Sequence, residues 1–247
     1  MEKFKLYKVG GCVRDSLLGL KSKDIDYSFI FEEIDRNITP DEYFIKMENI
    51  LKSIGVEIFQ LRPDCFTIRG RLNGESVDYV MGRKETYPNT ESRIPVVEMG
   101  DLYEELRRRD FTVNAIAEDE DGNLIDPFNG VKDIESKVLR CPIDTKTSFN
   151  DDPLRMLRAL RFAITKDFKM SSEVNMVIIA DEDMWEKFSK VVSQERIREE
   201  IYKMFQHDTI EAMELLWVLQ MNSPINIMEK IFANGMWLKP TMEKKPK

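Results

Sequence analysis

Two consecutive glycines near the N-terminus, Gly10 and Gly11, stand between a strand-like segment and a helical one. The apolar residues of Phe4 to Val9 predict a β-strand, the spacing in Cys12 to Leu18 predicts a helix, and the branched and aromatic residues of Ile25 to Phe31 predict a second strand. Because glycine carries no Cβ, a ligand can approach such a turn closely, and the N–H groups that begin a helix attract anions. The turn is therefore either a phosphate-binding site or only a tight strand-to-helix connection.

Two aspartates, Asp24 and Asp26, lie at the start of the second predicted strand. Alternate strand residues project from the same face, so the two carboxylates repel each other unless a cation lies between them. Mg²⁺ would relieve this repulsion, since it prefers one or two carboxylates together with phosphate oxygens. An acidic pair on a solvated strand face is the alternative, and the nearby glycine turn favours the metal site.

A third strand carboxylate, Asp78, lies in the segment SVDYVM. Three acidic groups from neighbouring strands around two metal ions would suit in-line displacement at a phosphorus atom. The alternative for Asp78 is an exposed strand residue without a chemical role.

The remaining periodicity predicts a mixed α and β chain that becomes helical. A helix, two strands joined by a turn at Pro63 and Asp64, and a strand after the Asn73–Gly74 turn are predicted in the ranges Asp41–Ile54, Val56–Leu61, Cys65–Arg69 and Ser76–Met81. Residues 82–100 are polar and aperiodic, which predicts a mobile loop beside the site. Helical patterns follow Asp151 to about Phe232, and the tail from Lys239 is predicted to be disordered.

Two arginine-rich segments supply cations. In LRRRDFTVNAIA, only one or two of the three adjacent arginines can share a helix face; Arg109, directly before an apolar run, is predicted to point inward and contact phosphate. In DDPLRMLRALRFA, Asp152 and Pro153 predict a helix start, with Asp152 as the capping residue and proline at the first helical position. Arg155, Arg158 and Arg161 then form either a phosphate- or base-binding stripe or a salt-bridged face.

Composition excludes several classes of chemistry. The chain has a single histidine, His207, so mechanisms that need several histidines are excluded. Its three cysteines are far apart and are predicted to be reduced and mostly buried.

No segment has the roughly 18 consecutive apolar residues of a membrane span, so a cytoplasmic protein is expected. A net charge of −8 is unusual for a nucleic-acid binder, so RNA contacts would depend on local clusters of cations.

Six ordered motifs together resemble the class II tRNA nucleotidyltransferases, which are the CCA-adding enzymes, and their relatives the bacterial poly(A) polymerases. The motifs are GGCVRDSLLG, DID, RRDFTVNAIA, DPFNGVKDI, DDPLRMLRALRFA and SQERIREEIYKMF, and they extend from about Leu6 to Phe205. The resemblance implies an α+β fold, with a polymerase-β-like nucleotidyltransferase head of mixed sheet and helices, an all-helical neck and a short helical C-terminal region. The implied domains are a head at 1–140, a neck at 141–206, a body remnant at 207–238 and a disordered tail at 239–247.

The resemblance also implies the roles of particular residues. Asp24 and Asp26 would hold two Mg²⁺ ions, and Asp78 would be the third catalytic carboxylate. The nucleotide-binding residues implied by the resemblance, together with the glycine turn, are Gly10, Gly11, Arg14, Arg109, Asp152, Arg155, Arg158 and Arg161. Within this set, Asp152 and Arg155 resemble the protein template pair. A carboxylate there accepts from the exocyclic amine that C and A share and that U and G lack at that position.

The expected activity is addition of C and A, or of A alone, to tRNA 3′ ends, with ATP and CTP as substrates. Poly(A) polymerisation on RNA 3′ ends is the main alternative. A shortened, non-catalytic nucleotide- or RNA-binding module, and transfer to a protein or small molecule, are the less favoured interpretations. Family members usually carry long C-terminal helices that grip the tRNA, and in this sequence only about forty residues follow the SQERIREE segment.

Overall fold

The chain forms two compact units, of which the first ends at Ile143 and the second begins at Asp144. The computed structural model describes residues 2–22, 24–35, 37–87 and 95–232. The predicted tail at 239–247 lies outside these residues, and the predicted four-domain layout stays a prediction. Among the helices described, none combines the length and the apolar character that crossing a membrane requires.

The first unit alternates strands with short helices. Its described elements are β1 (Phe4–Val9), α1 (Gly11–Leu17), β2 (Ile25–Phe31), α2 (Pro40–Ser53), β3 (Glu57–Arg62), a 3₁₀ turn (Pro63–Cys65), β4 (Thr67–Leu72), β5 (Glu75–Met81), β6 (Arg83–Thr86), β7 (Val96–Met99), α3 (Leu102–Arg107), a 3₁₀ turn (Thr112–Asn114), β8 (Ala117–Glu118), β9 (Leu124–Ile125), α4 (Gly130–Glu135) and β10 (Val138–Leu139). The strands and helices predicted up to Met81 are confirmed: the bounds of β1 and β2 match the prediction, and the others differ by at most three residues.

One mixed sheet organises the first unit, with the strand order β3-β4-β5-β2-β1-β8-β9. β1 runs antiparallel to β2, whereas β2 and β5 run parallel. Because α2 lies between them in the chain, β2 and β5 can be parallel neighbours, which a short hairpin would not permit.

The two faces of this sheet bury different residues. Phe29 and Phe31 of β2, with Tyr79 of β5, pack in a core cluster that includes Tyr43 and Met47 of α2. A second cluster lies on the other face of β1 and contains Val9, Leu106, Ala115 and Ala117. Since strand side chains alternate, the even-numbered residues of β2 and β5 face away from α2.

The second unit is helical, as predicted. It contains α5 (Thr145–Asp151), α6 (Leu154–Lys166), the short strand β11 (Lys169–Met170), α7 (Ser172–Ala180), α8 (Glu182–Val191), α9 (Gln194–His207), α10 (Thr209–Asn222) and α11 (Ile227–Phe232). Trp185 of α8 is fully buried, and its indole N–H donates to the carbonyl of Ile178 at 2.8 Å. Together with the mixed sheet of the first unit, these helices confirm the predicted α+β class.

Three expectations about local structure are wrong. The predicted loop at 82–100 contains a hairpin of β6 and β7, in which Arg83 pairs with Met99 and Thr86 with Val96. Helix α6 begins at Leu154, so Pro153 is the N-cap rather than the first helical residue. The three cysteines are free, as expected, but they are half-buried rather than buried.

The N-cap of α2 offers a way to measure how much helix capping stabilises the first unit. The Thr39 hydroxyl accepts from the Glu42 N–H at 3.3 Å, and the Glu42 carboxylate accepts from the Thr39 N–H at 2.8 Å. Thr39→Ala is expected to lower the free energy of unfolding by about 1 kcal/mol, since it leaves helical N–H groups without this acceptor. Urea denaturation followed by circular dichroism measures the change. Ser53→Ala, at the other end of α2, is the control, and an equal loss there would contradict the capping explanation.

Candidate active site

The parallel pairing of β2 and β5 brings two of the three predicted carboxylates together. Asp26 and Asp78 are direct partners in the register, and both lie on the sheet face that is turned away from α2. Asp24 precedes β2 and is exposed. The three aspartates line one cavity of about 350 Å³ together with Ile25, Phe59, Arg69 and Ser76. The structure therefore gathers the acidic side chains that the sequence singles out.

Arg69 of β4 is the cation of this cavity. Its Nε donates to Asp78 Oδ2 at 2.9 Å, because Arg69 and Asp78 are partners across the antiparallel β4–β5 pair. Sequence reasoning missed Arg69, although a signal was present. Asn73 and Gly74 both have positive φ in a two-residue hairpin turn, so counting back from the turn pairs position 69 with position 78.

Asp26 carries an unfavourable charge in this setting. Burial raises the pKa of Asp26, and the Asp78 and Asp24 carboxylates add to the rise, while Arg109 and Arg69 oppose it. A raised carboxyl pKa means that the surroundings disfavour the ionised form. Burial is the main cause of this rise, and a bound cation would stabilise the ionised carboxylate of Asp26.

Gly10 and Arg109 lie beside Asp26. Gly10 has φ 77° and ψ −132°, a backbone conformation that residues with a Cβ avoid. A Cβ at this position would overlap the Arg109 guanidinium and would lie 3.9 Å from Asp26 Oδ2. The glycine is thus required both by the backbone conformation and by the close approach of Arg109.

Arg14, close to Gly11, is held by hydrogen bonds to neighbouring side chains. Arg14 is buried and donates to Asp15 Oδ1 at 2.7 and 2.9 Å and to Asn114 Oδ1 at 2.5 Å. Asn114 in turn donates to Asp110 Oδ1 at 2.8 Å. These bonds link α1 to the buried segment after α3. The phosphate-binding roles of Arg14 and Gly11 stay predictions.

The residues present are compatible with a divalent metal that also binds phosphate. Within the described ranges, no three His, Cys, Asp or Glu side chains are grouped so that they could hold a metal by themselves. Mg²⁺ usually takes only one or two carboxylates and fills its other positions with water and substrate phosphates. Asp24 and Asp26, which line one cavity, are a donor set of that kind.

The proposed template pair lies in the second unit, at the start of α6. Asp152 Oδ1 accepts from the Leu154 N–H at 3.2 Å, and Asp152 Oδ2 lies 3.9 Å from Arg196 Nη1. Arg155 is buried, and its Nη1 donates to the hydroxyl of Ser148 at 2.6 Å and to the Ser148 carbonyl at 3.2 Å. The Asp152 side chain therefore does cap the helix start, as predicted, although Pro153 occupies the formal N-cap position.

Arg158 and Arg161 share one buried carboxylate. Arg161 Nε donates to Glu200 of α9, and Arg158 Nη1 lies 3.7 Å from the other oxygen of Glu200. Both guanidinium groups also lie over the Phe162 ring, at 4.3 Å for Arg161 and 5.8 Å for Arg158. These two arginines are salt-bridged to Glu200, while Arg155 has separate partners, and the nucleotide-binding roles of Arg158 and Arg161 stay predictions.

The mixed sheet with its paired carboxylates lies in the part of the chain that matches a known protein family. A family model described as the poly A polymerase head domain matches residues 6–140. The chain belongs to this family, which it shares with the class II CCA-adding and A-adding enzymes, and the resemblance seen in the sequence is confirmed.

Individual relatives agree with this membership. The CCA-adding enzyme of Lactobacillus helveticus is 35% identical over 202 residues, which cover 81% of this chain and 46% of that enzyme. The A-adding tRNA nucleotidyltransferase of Aquifex aeolicus is 30% identical over 244 residues, which cover 97% of this chain and 27% of that protein. A solved tRNA nucleotidyltransferase, complexed with a primer tRNA and an incoming ATP analog, superposes with a TM-score of 0.67 at 27% identity and covers 93% of this chain and 60% of that one. The chain thus spans less than half the length of these two curated relatives.

Proposed function

We propose that the chain transfers C and A nucleotides, or A alone, from CTP and ATP to the 3′ end of tRNA without a nucleic-acid template. The observation that carries the proposal is the parallel register of Asp26 and Asp78, which places both carboxylates at the cavity that Asp24 also lines. Nearby, Gly10 leaves the backbone open beside the Arg109 guanidinium. Negative charge for metal and positive charge for phosphate therefore occur side by side in the first unit.

The reaction joins the RNA 3′ hydroxyl oxygen to the α-phosphorus of the nucleotide and breaks the bond to the β-phosphate, so that pyrophosphate leaves. Asp24 and Asp26 would hold Mg²⁺, whose chemistry is to polarise the α-phosphate and to lower the pKa of the 3′ hydroxyl. Arg69 fixes the Asp78 carboxylate by an ion pair at 2.9 Å. Arg109, next to Gly10, would contact the triphosphate and balance its charge.

Base selection is assigned to Asp152 and Arg155. The proposal rests on the match of DDPLRMLRALRFA to the family motif and on the chemistry of the two side chains. A carboxylate accepts from the exocyclic amine of C or A, and an arginine donates to ring nitrogens and carbonyl oxygens. The Ser148 contacts of Arg155 restrict its side chain, which would favour one geometry for the base.

Addition of A alone is the second candidate. The A-adding relative from Aquifex aeolicus matches 97% of this chain, a larger share than the 81% matched by the CCA-adding enzyme from Lactobacillus helveticus. Asp152 and Arg155 suit both activities, because a template pair that accepts A serves either enzyme. Polymerisation of A on RNA 3′ ends is the third outcome to be distinguished.

One assay separates these candidates. Purified protein is incubated with Mg²⁺ and tRNAs that end before the CCA sequence, after its first C or after both Cs, and each nucleoside triphosphate is supplied alone and in pairs. Three added nucleotides on the shortest tRNA indicate CCA addition, one A on the tRNA ending in CC indicates A addition, and a long ladder with ATP alone indicates poly(A) synthesis. No product on any RNA would refute the proposed transfer.

The base-selecting role of Asp152 gives a specific prediction. Asp152→Ala is expected to reduce the preference for CTP over UTP by about tenfold, since one charge-assisted hydrogen bond to the exocyclic amine is lost. Competition between labelled CTP and UTP at equal concentration measures the preference. Asp144→Ala removes the cap of α5 in the same unit and is the matched control, because Asp144 Oδ1 accepts from the Thr147 N–H at 2.8 Å. Equal loss of preference in both variants would show that only helix capping matters.

A further inference from the structure

A buried ion-pair network surrounds the end of α3. Glu105 is fully buried and accepts from Arg108 with both carboxylate oxygens, at 2.6 and 2.7 Å. The same Oε1 accepts from Arg109 Nη2 at 3.2 Å. α3 ends at Arg107 and the Arg109 N–H donates to the Leu106 carbonyl, so Arg108 and Arg109 both follow closely enough to reach Glu105.

The network extends to the β6–β7 hairpin. Glu85 of β6 accepts from Arg108 at 3.3 Å, from Arg83 at 2.8 Å and from the Tyr87 hydroxyl at 2.7 Å. Burial works against the ionised form of Glu85, but Arg108 and Arg83 outweigh it and lower the pKa of this carboxyl. The Glu105 and Glu85 carboxylates likewise outweigh burial and raise the pKa of Arg108. Glu85 and Arg108 therefore stay ionised at neutral pH.

Arg109 is held less closely than the other two cations of the network. Arg83 lies 2.8 Å from Glu85 and Arg108 lies 2.6 Å from Glu105, whereas Arg109 lies 3.2 Å from Glu105. The Nε of Arg109 lies buried with no hydrogen-bond acceptor among the described residues. Its guanidinium lies next to Gly10 and close to the Asp26 carboxylate. A buried donor without an acceptor is unfavourable, and an anion bound at the glycine turn would supply one.

We propose that Glu105 is a positioning residue that aims the Arg109 guanidinium at the glycine turn, and that Arg108 holds Glu105 in the orientation this requires. The inference rests on the proposed nucleotide site at Gly10 and Asp26. Glu105 is too deeply buried to touch a substrate, so it acts through Arg109 alone. Arg108 donates to both oxygens of the Glu105 carboxylate, and Arg109 donates to one of them. This single hydrogen bond orients the Arg109 guanidinium, and its other N–H groups are available to a triphosphate.

A double-mutant cycle tests the proposal. Glu105→Gln, Arg109→Ala and the double variant are compared by kcat/KM for incorporation into truncated tRNA. Glu105→Gln alone is expected to raise the KM for the nucleotide about tenfold, while Arg109→Ala reduces kcat/KM about 100-fold, since charge-assisted hydrogen bonds to phosphate are lost. The double variant is expected to equal Arg109→Ala within about threefold, because residues that act through one another are not additive.

One result of the double-mutant cycle would contradict the proposal. If the double variant loses the product of the two single effects, about 1000-fold, Glu105 acts independently of Arg109 and the proposal is wrong. Glu104→Gln, on the exposed side of the same helix, is the matched control and is expected to keep kcat/KM within about twofold.

Two further measurements distinguish a positioning role of Glu105 from loss of the fold and from failure of the proposed function. Removing a carboxylate from two buried arginines is destabilising, so circular dichroism accompanies each variant, and Arg108→Lys is the milder second variant. Arg108→Lys keeps the positive charge but loses the bidentate hydrogen bonding to Glu105. It is therefore expected to raise the KM for the nucleotide in the protein that has Arg109, and to have no such effect in the Arg109→Ala background. Were the wild-type protein inactive on every RNA, the proposed function would fail, while the same cycle measured by binding of Mg²⁺–ATP would still decide the role of Glu105.

Discussion

Asp26→Asn is expected to reduce nucleotide incorporation by on the order of 10³-fold, because the metal-binding carboxylate supplies several kcal/mol of transition-state stabilisation. Single-turnover assays with truncated tRNA measure the loss. Asp64→Asn is the matched control: Asp64 is an exposed acidic residue in the turn between β3 and β4, outside the residues that line the cavity. Near-normal incorporation by the Asp26 variant would refute the assignment.

The same variant is expected to be at least as stable as the wild-type protein at pH 7. Burial and the neighbouring Asp78 and Asp24 raise the pKa of Asp26 above its unfolded value, so the ionised form destabilises the folded state at neutral pH. The neutral asparagine removes that penalty. Loss of activity without loss of stability in thermal unfolding would mark Asp26 as a residue kept for function, and marked destabilisation by Asp26→Asn would contradict this view of the site.

Gly10→Ala is expected to reduce kcat/KM by about 10- to 100-fold, because the new Cβ would displace the Arg109 guanidinium and weaken its contacts to phosphate. The positive φ of 77° adds backbone strain of about 1–3 kcal/mol, which lowers the free energy of unfolding. Nucleotide kinetics and urea denaturation measure the two effects separately.

Gly19→Ala is the matched control for Gly10→Ala. Gly19 has φ 71°, but no atom lies within 4 Å of the Cβ that alanine would add. This variant is therefore expected to lose stability through strain and to keep its activity. If both variants lost activity to the same extent, backbone strain alone would explain the effect, and the close approach of Arg109 to Gly10 would have no functional meaning.

Much of the first unit is predictable because the local sequence pattern and the pairing of the strands place the same residues on the same face of the sheet. The alternation in Ile25–Phe31 places aromatic residues on one face of the strand and Asp26 on the other, and the sheet buries the aromatic face against α2. The Asn73–Gly74 turn defines the register of β4 and β5 residue by residue. The glycine turn at Gly10 and the position of Asp26 in β2 are predictable in the same way, since each depends on neighbours in the sequence.

Other features depend on partners that are far away in the sequence. Sequence reasoning missed the β6–β7 hairpin because each strand is only four residues long and β6 is polar, with contacts made through ion pairs of Arg83 and Glu85. The Arg107–Arg109 run shows only that its members cannot all share a face. The fully buried Glu105 decides that Arg108 and Arg109 turn inward while Arg107 stays at the surface with Glu104. Glu200 likewise decides the partners of Arg158 and Arg161.

The sequence by itself determined which groups the protein has available: two glycines at a strand-to-helix turn, three strand carboxylates and a set of arginines at recognisable spacings. Tertiary structure decided which of these groups meet. It paired Asp78 with Asp26 through a parallel register, gave Asp78 a cation in Arg69, and brought Arg109 to the buried Glu105 beside Gly10. The physical reason is that local geometry follows from backbone sterics and side-chain period, whereas burial and charge balance depend on residues that approach only when the sheet has formed.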